Sequence, residues 1–138
     1  MKPIDELTEE IIGLAMKIHR TLGPGFLESV YHKALALELR RSGLSVESEK
    51  NLKVFYAGEC VGDFCADLLV DGRLILELKA VLALTAAHEV QTVNYLVATR
   101  LDDALLINFG APSLQFKRKR RLPKSIKSRQ SCPKKPVR

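Results

Sequence analysis

Cysteine is scarce in this chain and follows no pattern: Cys60, Cys65 and Cys132 are an odd number at unrelated spacings. That argues against a disulfide scaffold and for a reducing compartment. Cys60, Cys65 and His88 lack the second close Cys or His pair that would complete a zinc site. Long apolar runs are also missing, the longest falling far short of the roughly 18 residues a membrane span needs. The first residues, MKPIDELTEE, are acidic where a secretory leader would be basic and then apolar. Together these absences lead us to expect a soluble, cytoplasmic protein with no membrane partner.

Acidic side chains are wholly absent from residues 117–138, which hold 11 of the 22 Lys and Arg. Residues 1–116 carry the other 11 against all 16 acids, a net charge of −5, so the basic isoelectric point belongs to the tail. That tail has three prolines, no aromatic residue and too little apolar surface to offset the entropy of ordering. We therefore expect a domain over 1–116 and a basic extension over 117–138, disordered beyond its first residues. Lys117, Arg118, Lys119, Arg120 and Arg121 are candidates for contacting a polyanion such as DNA or RNA by counterion release.

What the body does have is periodicity. Ile4, Leu7, Ile11, Leu14, Ala15, Ile18 and Leu22 recur every three or four residues, which predicts an amphipathic helix from Pro3 to the Gly23-Pro24-Gly25 stop. A second helix is expected over 27–41, with Leu27, Val30, Tyr31, Ala34, Leu35 and Leu39 mostly inward, closed by Ser42-Gly43. Strands follow over 45–56, 60–70 and 73–81, then a helix over 85–99 capped by Thr85, and a strand at 104–110. The fold class is α/β in the order α-α-β-β-β-α-β, a mixed central sheet of about four strands with helices on both faces.

The segment CADLLVDGRLILELKA, residues 65–80, sets Asp67, Glu77 and Lys79 among aliphatic residues in a hairpin about Asp71-Gly72. A two-residue loop would put the two carboxylates on opposite faces. A three-residue loop, Val70-Asp71-Gly72, with Gly72 left-handed and a bulge, puts Asp67, Glu77 and Lys79 on one face and Ala66, Leu68, Val70, Leu74, Leu76 and Leu78 on the other. We expect the odd-length loop. Carboxylates held that close on an apolar sheet need a cation, a shared proton or a basic partner. A hard divalent ion and a buried salt bridge to Lys79 both meet that need. On the third helix His88, Gln91 and Tyr95 share one stripe, and Glu28 and Tyr31 share a face at the start of the second. Taken singly, these residues also suit core packing, a solvated face or helix-dipole complementation.

Gly25-Phe26-Leu27-Glu28-Ser29-Val30-Tyr31 resembles the signature of the GxxExxY proteins, a group within the PD-(D/E)XK nuclease-like superfamily. Asp67 followed by Glu77-Leu78-Lys79 looks like the superfamily's D…ExK core, and Gln91-Thr92-Val93-Asn94-Tyr95 like the QxxxY motif of its exonuclease-type branch. Ala66 stands where a proline usually precedes the aspartate, and the long basic tail has no counterpart in the pattern. The resemblance implies a restriction-endonuclease-like core and hydrolysis of DNA or RNA phosphodiesters. It implies that Asp67, Glu77 and the Leu78 carbonyl hold Mg²⁺ or Mn²⁺, with Glu28 completing the shell or ordering water. Lys79 would then position the attacking water, and Gln91 and Tyr95 would orient phosphate or brace the site, with His88 a weaker neighbour. A catalytically inactive nucleic-acid- or protein-binding module on the same fold is the alternative. Nothing in the sequence decides the oligomeric state, and a homodimer stays open.

Overall fold

The computed structural model describes residues 1–121, so the disorder expected for the rest of the tail lies outside the described residues. Helix α1 spans Ile4–Leu22 and α2 spans Glu28–Arg41. The predicted stripe of α1 is inward, with Leu7, Ile11, Ala15 and Ile18 buried, and Gly23 ends the helix at φ 73°, a left-handed angle that favours glycine. Acidic Asp5 and Glu6 in the first turn and His19 and Arg20 in the last complement the helix dipole. On α2, Tyr31, Leu35, Ala36 and Leu39 are buried, whereas Leu27, expected inward, is largely exposed as the residue preceding the helix.

Five strands form one sheet in the order β1 (Val46–Tyr56), β2 (Glu59–Val70), β3 (Leu74–Lys79), β4 (Asp103–Asn108) and β5 (Gln115–Arg120). All neighbours are antiparallel except β3 and β4, whose parallel pairing requires the crossover through α3 (Ala86–Thr99). Helices α1 and α2 cover one face, burying Leu68, Val70, Leu74, Leu76, Leu78, Leu105 and Ile107. Helix α3 covers the other through Leu96, which packs with Leu69, Ile75 and Ala104. No helix among the described residues is long and apolar enough to cross a membrane.

Three expectations need correction. The sheet has a fifth strand, so the domain boundary expected after residue 116 falls inside β5. The hairpin loop has the expected odd length but sits one residue later: Val70 pairs with Leu74, leaving Asp71-Gly72-Arg73 between strands. Asp71 and Gly72 are both left-handed, the Arg73 N–H reaches the Val70 carbonyl at 3.1 Å, and Arg73 is the extra residue before the ladder resumes. Finally, Ala66 packs with Leu69 and Ile75 rather than with Leu68. Alternation breaks near Asp67, where Glu49 of the facing strand sits at φ 52° and drops out of the pairing between Ser48 and Lys50.

Candidate functional site

Continuing the β2–β3 register by one residue from the Leu68–Leu76 pair sets Asp67 beside Glu77. The Leu78 backbone N–H donates to Asp67 Oδ2 at 2.8 Å, so the aspartate is tied to the strand that carries the glutamate. Glu77 is 8% exposed. Burial, and after it the charge of Asp67, push its carboxyl up to about 8; the Asp67 backbone and the Lys79 ammonium oppose that push, and Glu28 adds to it. The hairpin thus holds one carboxylate next to a second acid that resists ionising.

A buried salt bridge does not account for the pair. Among the described residues three carboxylate oxygens are buried without a hydrogen-bond partner: Glu10 Oε1, Asp103 Oδ1 and Glu77 Oε2. A cation stands near the first two, Lys2 at 3.7 Å and Arg120 at 3.3 Å. Glu77 Oε2 has neither, and Lys79 forms no ion pair with Asp67 or Glu77. A buried polar oxygen left in this state costs free energy unless a proton or an ion occupies it.

The other candidates fall into two groups. Glu28, in the first turn of α2, lines a cavity of about 250 Å³ together with Asp67, Leu78, Ser29, His32 and Glu49. Tyr95, on α3, stacks on Phe64 of β2 with centroids 3.7 Å apart. Burial, then the charges of Glu77 and Asp67, raise its phenol, and a Gln91 side-chain hydrogen bond opposes the shift, so Gln91, Tyr95 and the two acids share one neighbourhood. Among the described residues no three His, Cys, Asp or Glu side chains converge to hold an ion. Glu28, expected either to complete the shell or to order water, faces the same cavity as Asp67. The two acids and the free Glu77 oxygen still form a donor set of the hard-oxygen type that divalent ions prefer.

Several of the other expected residues also have partners within the domain. Tyr31 is fully buried, donates to the Gly23 carbonyl at 2.5 Å, accepts from the Phe26 N–H at 3.1 Å and stacks on Phe109 at 4.7 Å. It pins the 23–26 turn that delivers Glu28. His88 belongs to a capping box, with its Nδ1 accepting from the Thr85 N–H and its own N–H donating to Thr85 Oγ1. Four of the five residues expected to bind a polyanion are ion-paired within the domain: Arg118 and Arg120 with Asp5, Lys119 with Glu89, and Arg121 with Asp102. Only Lys117 of that group forms no ion pair among the described residues.

Sequence reasoning missed Glu49, whose place in the cavity depends on the irregular backbone opposite Asp67. It missed Asn108 too. Wholly buried, Asn108 accepts from the Val81 and Gly110 N–H groups and donates to the Val81 carbonyl and Gln115 Oε1, all within 2.9–3.0 Å. It thereby fixes the chain just after Lys79. The available signal was a lone amide in the apolar run ALLINFG.

A search of curated proteins finds no match. The crystal structure of SSO0001 matches with a TM-score of 0.52 at 15% identity, over 74% of this chain and 55% of that one. This chain thus spans little more than half of that protein, and the likeness is one of fold. The family model described as the PD-(D/E)XK nuclease superfamily matches residues 5–120, a stretch that includes both acids, Lys79, Gln91, Tyr95 and the fifth strand. With that match over most of its length, the chain belongs to the PD-(D/E)XK nuclease superfamily.

Proposed function

We propose that this protein is a divalent-metal-dependent nuclease of the GxxExxY type, hydrolysing phosphodiester bonds of DNA or RNA. The observation that carries the reading is Glu77 Oε2, buried and partnerless beside Asp67, in a chain whose match to a nuclease superfamily spans both acids. Asp67, Glu77 and the Leu78 carbonyl would hold Mg²⁺ or Mn²⁺. When bound, such an ion supplies Lewis acidity toward phosphate and lowers the pKa of water.

The chain's own residues supply the rest. Lys79, half-buried at the end of β3, holds water and offsets negative charge growing on the phosphate. Tyr95, braced by Phe64 and joined to Gln91, presents a hydroxyl toward the same charge. Glu28 orders water from the α2 side of the cavity. A cytoplasmic setting agrees with the free thiols of Cys60 and Cys65.

The test is cleavage of single- and double-stranded DNA and RNA with Mg²⁺ or Mn²⁺, together with thermal melting in the presence and absence of Mn²⁺. Binding to the folded state alone raises the melting temperature. We expect cleavage and a Mn²⁺-dependent rise, both abolished by Glu77→Gln in a folded protein. Nucleic-acid binding with no turnover under any metal would instead identify an inactive binding module, and no melting response would remove the metal site.

A further inference from the structure

The cations first expected to meet a polyanion are largely spent on Asp5, Glu89 and Asp102. A different pair is free. Lys33 and Arg40 are exposed on α2 and, among the described residues, neither pairs with an acid; Arg40 makes only a 3.4 Å contact to Ser48 Oγ on β1. Seven residues apart, they lie on one helix face, about 10 Å from each other along the axis.

Both line a groove of about 520 Å³ between α2 and the edge strand β1. Ser29, His32 and Glu49 line this groove and also the cavity holding Asp67 and Leu78, so the two spaces adjoin. Between the cations lies Leu37, an apolar side chain 49% exposed, and no Phe, Tyr or Trp lines the groove, whose one ring is the imidazole of His32 at the end toward the cavity. A lining with two cations and no row of stacking rings suits the charged backbone of a strand rather than its bases.

We infer that the groove between α2 and β1 carries one strand of nucleic acid by its phosphates, gripped by Lys33 and Arg40, toward the cavity of Asp67 and Glu77. This rests on the phosphodiesterase reading for its destination and names where the substrate lies. The negative charge of the body as a whole is no obstacle, because the field that a strand meets is set locally, where Lys33 and Arg40 outnumber the one acid of the lining, Glu49.

The test uses the full chain in EDTA, so that no turnover occurs, with fluorescent single-stranded DNA and RNA of the same sequence in separate arms. Lys33→Gln/Arg40→Gln should fold and melt like the parent, since both side chains are exposed. Its affinity should fall at least about tenfold at low salt, and the slope of log K against log salt should shrink by about 1.4 for two lost phosphate contacts on a single strand. The basic residues 122–138 are identical in both proteins, so their contribution cancels in the comparison. Bound oligonucleotide should also slow acetylation of Lys33 while leaving Lys17, paired with Glu38, as reactive as before. Unchanged affinity in the variant, or a Lys33 equally reactive with and without oligonucleotide, overturns the proposal. Cleavage that persists with unchanged binding removes the groove and keeps the nuclease, whereas groove-dependent binding in a protein that cuts nothing does the reverse.

Discussion

The Leu78 N–H and the Asp67 carboxylate form a 2.8 Å hydrogen bond that ties β2 to β3 at the point where the charged residues gather. Asp67 consequently has a structural task besides any part in binding an ion. Asn keeps an acceptor oxygen at that position, whereas Ala leaves the N–H of a residue only 1% exposed without a partner. We expect Asp67→Ala to lose about 1–3 kcal/mol of stability and Asp67→Asn to lose less than about 1 kcal/mol. Urea unfolding of the two variants checks the difference, and equal losses would show the bond to be idle.

Glu77 should make stability depend on pH in an unusual direction. Its carboxyl is raised from 4.5 to about 8 in the folded protein. Between those values the folded state holds a proton that the unfolded state has released, so stability falls as pH rises through that window. The stabilisation is complete below 4.5 and gone above about 8. We expect metal-free protein to lose a few kcal/mol across the window, and Glu77→Gln, which cannot ionise, to remove most of that slope. Urea titrations at pH 5, 6.5 and 8 measure it, and parallel profiles for the two proteins would contradict the burial of a strained acid.

Tyr31 connects the turn before α2 to the core beneath it. Tyr31→Phe keeps the stack on Phe109 but removes the hydroxyl shared by the Gly23 carbonyl and the Phe26 N–H. We expect a loss of about 1–2 kcal/mol and faster amide exchange at Phe26. Exchange unchanged at Phe26 would mean that the turn holds itself.

How far the sequence revealed these relations depends on how local they are. The α1 stripe was legible because Leu7, Ile11, Ala15 and Ile18 lie within one helix and respond to one period. Asp67 and Glu77 could be brought together from the parity of a short loop, even though that loop sits a residue later than expected. Strand β5 was illegible: QFKRKR reads as a solvated tail until Asp5, more than a hundred residues earlier, is placed beside Arg118 and Arg120. Glu49 escaped because its left-handed backbone interrupts the alternation from which strand faces are read. Lys33 and Arg40 looked like ordinary surface charges, and only the groove they share beside the Asp67 cavity, visible in three dimensions, sets them apart.

Asn108 offers the sharpest separation of scaffold from chemistry. Its amide fills four hydrogen bonds with Val81, Gly110 and Gln115, and Gln115 Oε1 also accepts from the Leu84 N–H. Gly110 completes the arrangement, because a Cβ there would lie 2.5 Å from the Val81 backbone. Leucine in place of Asn108 would match the size of the amide roughly and leave the part-buried Val81 and Gly110 groups without their partner, so we expect Asn108→Leu to cost about 3 kcal/mol. The Asn108→Asp substitution would keep the two bonds accepted from N–H groups and lose the two donated ones, while adding a buried charge. The segment from Ala80 to Leu84 follows Lys79 directly and leads into α3 with its Gln91 and Tyr95. Loosening it should therefore lower activity beyond the loss of folded protein, without weakening Mn²⁺ binding by Asp67 and Glu77. Activity per folded molecule, read beside the Mn²⁺-induced melting shift, distinguishes this from simple destabilisation, in which both would fall together.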